Sequence, residues 1–74
     1  MSNKSIASMI RYYRKESGLS QEALAHLAGV GKTAVFDIEQ GRVTMRFDTL
    51  YKLCEALNIN IKFEPPFPMV EDDV

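Results

Sequence analysis

At 74 residues with a single cysteine, the chain makes one small domain that buries roughly 60–65 % of its unfolded surface, too little for a deep catalytic pocket, so that a second copy or another partner becomes useful. Cys54 has no disulfide partner, and no stretch has the length or apolarity of a signal peptide or a membrane span, so a soluble, cytoplasmic protein with no membrane partner is expected. The net charge of −1 hides an asymmetry: residues 1–46 carry seven cations against four anions and residues 47–74 carry two against six, which suits a polyanionic partner at one end only.

Residues 5–18, SIASMIRYYRKESG, place Ile6, Ile10 and Tyr13 at helical spacing with Met9 alongside, and put Arg11, Arg14 and Lys15 mostly on other faces. This predicts a first helix, stopped by Gly18 in a left-handed cap. Ser20 then offers an N-cap hydroxyl to a second helix with Glu22 in its first turn and Leu24, Leu27 and Ala28 inward.

Gly29-Val30-Gly31-Lys32-Thr33 has the order of a phosphate-binding loop. That loop needs G-x-x-x-x-G-K-[ST] after a buried strand, because consecutive amides must wrap the phosphates. The position of its first glycine is His26, and the preceding SQEALAHLA is rich in Ala and Leu and reads as helix. A three-residue turn between two short helices, with Val30 filling the angle, is the signature of a helix-turn-helix. The third helix, KTAVFDIEQ, buries Val35 and Ile38 and stops at Gly41. A fourth begins near Phe47, with Asp48 in its first turn and Leu50, Leu53, Cys54 and Leu57 on one stripe. After it Ile59, Ile61 and Phe63 alternate with Asn60, Lys62 and Glu64, the period of a strand. With no second strand in the chain, its backbone groups need a partner from outside. Pro65, Pro66 and Pro68 bar further ladder or helix, and MVEDDV is too short and acidic to fold alone.

The stretch GLSQEALAHLAGVGKTAVFDIEQG resembles the helix-turn-helix of the Cro and phage-repressor class, with Gly18, Leu19, Ser20, Gln21, Leu24, Ala25, Gly29, Val30, Val35, Ile38, Glu39 and Gly41 at matching positions. The likeness spans about residues 6–58. TMRFDTLYKLCEALNINIKF is similar, more narrowly, to HipB-type antitoxins, in which a short strand follows the helical core. The implied fold is all-α: a four- to five-helix repressor-like domain over residues 1–58, a short C-terminal β-strand over 59–64 that pairs across a dimer through Ile59, Ile61 and Phe63, and a Pro-rich, acidic, flexible tail over 65–74.

The resemblance makes the third helix the recognition helix, whose N-terminal residues lie deepest in the major groove. Lys32 then donates to guanine O6 or N7, or to a phosphate. Thr33 hydrogen-bonds a base, and Ala34 with the Thr33 methyl meets a thymine methyl. Phe36 either packs on thymine or sugar or is a plain surface aromatic; Asp37 either accepts from cytosine N4 or only repels phosphate. Gln21 and the amides that open the second helix are placed for one phosphate, and Arg42, Thr44 and Arg46 for the next, with ordinary solvated roles as the alternative. The family's ion pair between its first and third helices falls on Arg14 and Glu39, a structural role.

His26 lacks any metal-spaced neighbour and reads as a surface histidine; Cys54 reads as a core thiol. No cofactor, metal or catalysis is expected. The function implied is a DNA-binding repressor working as a homodimer, of the HipB antitoxin type, which represses its own operon and binds a HipA-like kinase toxin. A stand-alone phage-type repressor is the alternative, as is a protein-interaction module for which DNA is secondary.

Overall fold

The computed structural model describes residues 3–42 and 46–68. Four α-helices follow in chain order: α1 over Asn3–Glu16, α2 over Gln21–Ala28, α3 over Lys32–Glu39 and α4 over Phe47–Ala56. The fold is all-α among the described residues, and α1 begins two residues before Ser5.

All four helices end in the same way. Gly18, Gly29, Gly41 and Asn58 have φ of 74, 75, 73 and 60°. The amide just beyond each reaches back five residues: Leu19 to the Arg14 carbonyl at 3.1 Å, Val30 to Ala25 at 3.0 Å, Arg42 to Asp37 at 3.2 Å and Ile59 to Cys54 at 2.8 Å. A left-handed residue here satisfies carbonyls that the helix leaves open and folds the following side chain back over the last turn. Leu19, Val30 and Ile59 accordingly pack against the core, while Arg42 is exposed.

Ile10, Leu24, Val35 and Leu53 are each fully buried. They come one from each helix, so the four helices meet at a single centre, with Ala25, Ile38, Cys54 and Leu57 around it. Each such large side chain contributes roughly 1.5–3 kcal/mol over leaving it in water.

Two expectations need correction. Tyr13 and Leu27 are exposed, not inward. On α1 the inward stripe is Ala7, Ile10 and Arg14, at i, i+3 and i+7, and Arg14 takes the place that hydrophobicity alone assigned to Tyr13. On α2, Leu24, Ala25 and Ala28 face the core, which turns Leu27 about 100° away. Residues 59–64 form no ladder within the chain, as expected of a segment whose partner must come from outside it. Ile59 and Ile61 lie against the core, but a strand exists only through its ladder, and this chain supplies no second strand among the described residues.

Candidate nucleic-acid interface

The turn between α2 and α3 is built from three local devices. Ser20 caps α2, its hydroxyl accepting from the Ala23 amide at 2.9 Å. Gly29 takes the left-handed conformation after α2, and Val30 drops onto the core. Gly31, at φ −76° and ψ 150°, is extended and serves as the N-cap of α3. The segment before Gly29 is helical, so the glycines turn the chain between helices and do not cradle phosphates from the end of a strand.

Burial fixes how α3 is presented. Val35, Ile38 and Glu39 are buried, whereas Lys32, Thr33, Phe36 and Gln40 are exposed and Ala34 and Asp37 are half-buried. Thr33, Phe36, Asp37 and Gln40 therefore share one outward stripe, with Lys32 beside it at the helix N-terminus. Gln40 belongs to that stripe although the sequence reading did not single it out; the signal was its place seven residues after Thr33. An outward amide of this kind can donate to and accept from one base edge.

The charges around α3 are partly answered within the fold. The Arg42 guanidinium stands 3.6 Å from the Asp37 carboxylate and that of Arg46 3.0 Å from Asp48, both pairs exposed. The bond to Asp48 raises the Arg46 pKa and lowers that of Asp48; at full exposure such pairs are weak and yield to a stronger anion. Thr44 lies outside the described residues.

Beneath the interface sits the buried pair. Arg14 donates from Nε to Glu39 Oε2 at 2.6 Å, from Nη2 to Glu39 Oε1 at 2.9 Å and from Nη1 to the Leu19 carbonyl at 2.9 Å. This ties α1 to the end of α3 and to the start of the loop before α2. Gln21 joins the network, its amide donating to Glu39 Oε1 at 3.1 Å. Burial pushes the Glu39 carboxyl up, but the bonds from Arg14 and Gln21, helped by the charges of Arg14 and Arg11, more than offset it and hold Glu39 below the usual range. The bond to Glu39 likewise raises Arg14, against the effect of burial. No buried side-chain polar atom lacks a partner among the described residues. Gln21 thus reaches its half-buried site at the start of α2 with one amide hydrogen engaged inside the protein.

Of the remaining candidates, His26 is exposed and Cys54 is buried, burial raising its thiol pKa. No cluster of His, Cys, Asp or Glu suited to a metal ion occurs among the described residues, and no helix there is long and apolar enough to cross a membrane. Ile59 and Ile61 are half-buried beside α1 and α4, and Phe63 is exposed, its ring 6.4 Å from that of Phe47.

Comparison with known proteins agrees with this architecture. A family model described as helix-turn-helix matches residues 10–63. The chain is 33 % identical over 61 residues to y4mF, an uncharacterised HTH-type transcriptional regulator of Sinorhizobium fredii, covering 82 % of this chain and 80 % of that one. It is 34 % identical over 56 residues to the control protein C.SmaI of Serratia marcescens, covering 76 % and 67 %. Among solved structures, a chain of the HipA-HipB-O2-O3 complex superposes with a TM-score of 0.79 over 90 % of this chain and 94 % of that one, at 18 % identity, a likeness of fold.

Proposed function

The chain belongs to the helix-turn-helix family, and on that premise we propose that it is a sequence-specific DNA-binding repressor that works as a homodimer, and more narrowly a HipB-type antitoxin that represses its own operon and holds a kinase-like toxin. The observation that carries the DNA reading is the turn at residues 29–31, which lifts Lys32 and Thr33 into solvent at the N-terminus of α3 while Val35 and Ile38 fix the helix from behind. Side chains so placed reach base edges when the helix enters the major groove: Lys32 as a donor to guanine or phosphate, Thr33 and Ala34 against thymine, and Phe36 and Asp37 one turn on. Gln21 with the α2 amides, and Arg42, Thr44 and Arg46 in the following loop, hold the flanking phosphates. The narrower antitoxin reading is supported by the fold shared with a chain of the HipA-HipB-O2-O3 complex.

A second reading, a repressor that acts without a toxin, is favoured by the likeness to C.SmaI, which is one of sequence. A mobility-shift assay on the DNA upstream of the protein's own gene, with and without the product of the neighbouring gene, separates the two. Retardation that a neighbouring kinase-like protein converts to a larger complex supports the antitoxin. Retardation indifferent to the neighbour supports the stand-alone repressor. No retardation at micromolar dimer removes the DNA reading itself.

A further inference from the structure

Two cations of α1, Lys4 and Arg11, lie near the C-terminal end of α3. Arg42 and Arg46 flank the loop after α3 and each faces a carboxylate, Asp37 and Asp48. Gly41, the residue before Arg42, sits so close to the first turn of α1 that a Cβ there would stand 3.8 Å from the Lys4 Cα. Arg11, seven residues further along, is on the same side of α1. It is near enough to Glu39, at the end of α3, to help lower its pKa. Both side chains are exposed, and neither pairs with a carboxylate among the described residues. Helix stability does not account for Lys4: a cation in the first turn opposes the helix dipole, and α1 has no acidic residue there to balance it. Lys15 differs, since it lies in the last turn, where the dipole favours a cation.

We infer that Lys4 and Arg11 are phosphate-contacting residues of the DNA interface, extending the grip of the α3–α4 loop along the exposed edge of α1; the inference rests on the DNA-binding reading above. Seven residues of helix span about 10.5 Å, and one strand of duplex carries a phosphate about every 3.4 Å along its axis. The two cations are thus far enough apart to meet two separate phosphates, one each. Contacts of this kind do not read sequence; they set the register and depth at which α3 enters the groove. They also supply unpaired positive charge where Arg42 and Arg46 are each half-answered by an acid.

The test measures binding of the full chain, across a range of salt, to its own upstream DNA and to an unrelated duplex of equal length. For the K4Q/R11Q double variant the slope of log K against log salt should flatten by about 0.9 for each phosphate no longer neutralised, on both duplexes alike and with the helical far-ultraviolet signal retained. The K4R/R11K variant, which keeps both charges, should retain the wild-type slope. A folded K4Q/R11Q protein with the wild-type slope on both duplexes overturns the inference and leaves the repressor reading standing. Failure of the wild-type chain to bind either duplex overturns both.

Discussion

Each of the three guanidinium nitrogens of Arg14 donates inside the fold, and Arg14 is the one buried cation among the described residues. Its removal strands the Glu39 carboxylate in the interior with only the Gln21 hydrogen bond and the charge of Arg11 to answer it. Arg14→Ala should therefore cost about 3–5 kcal/mol, a large share of the roughly 5–15 kcal/mol that holds a domain together, read as a lowered denaturation midpoint. The same pair sets an acid limit. Glu39 has a lower pKa folded than unfolded, so above the ordinary glutamate range its contribution is fully present. As pH falls through and below that range the unfolded chain takes up the proton first, and stability declines until the native carboxyl is protonated too. A urea-midpoint series against pH should show this decline in the wild type and a flatter profile in Glu39→Gln; equal slopes would mean that another carboxylate sets the limit. Exposed residues of α3 should behave in the opposite sense. Lys32→Ala and Thr33→Ala should leave the melting temperature in place and weaken operator binding by roughly 1–3 kcal/mol for each base that is no longer read, measurable by anisotropy titration, and wild-type affinity in both would remove the N-terminus of α3 from base reading.

Two glycines flank the turn between α2 and α3, and only one is needed as glycine. Gly29 stands at φ 75° with nothing within 4 Å of where a Cβ would be, so Gly29→Ala meets no clash and bears only the left-handed backbone cost, about 1–2 kcal/mol. In a domain of this size that lowers the melting temperature by about 4–8 °C per kcal/mol. Gly31, at φ −76° with equally open surroundings, needs no left-handed freedom; alanine there restricts the unfolded chain but is a poorer N-cap than glycine, so Gly31→Ala should cost less than Gly29→Ala. A thermal melt that reversed this order would mean that the turn is set by Gly31. Helix ends of this kind were legible in the sequence because caps are local: Ser20, Gly18, Gly29 and Gly41 act within a few residues of themselves. The inward faces were legible where apolar spacing was unbroken, as in α4. They were misread at Tyr13 and Leu27, because an eight-residue helix leaves the phase of its stripe weakly determined and because Arg14 faces inward toward an acid 25 residues away. The outward residues at the start of α3 followed from locating the turn. Lys4 and Arg11 did not, since their place in the candidate interface depends on how α1 packs on the end of α3.

At the scale of the whole molecule, the segment after α4 is unfinished in a single chain. Ile59 is tied back to Cys54 at 2.8 Å, and beyond it no backbone hydrogen bond within the chain holds residues 60–68 among the described residues. Ile59 and Ile61 nevertheless stay half-buried, lining with Ile6, Met9, Leu50 and Cys54 a groove of about 170 Å³. On the other side Phe63, 79 % exposed, is close to Phe47, whose ring lies 6.3 Å from Tyr51. Backbone groups left without a ladder beside adjoining exposed aromatics make an association surface. A twofold partner offers the same edge in return, so the expected occupant is the same segment of a second copy, paired antiparallel and closing both grooves. DNA binding then depends on this joint, because one recognition helix reads too few base pairs for selective affinity and two must reach half-sites about one helical turn apart. Ile61→Pro should remove an amide from the ladder and impose a φ unsuited to it, giving monomer in sedimentation at micromolar concentration and much reduced operator binding, with the helical far-ultraviolet signal retained. Ile61→Val, which keeps the amide and most of the side chain, should remain dimeric. If the proline variant sediments as a dimer and binds DNA as the wild type does, the joint lies on the helices, and the segment's partner is a different protein.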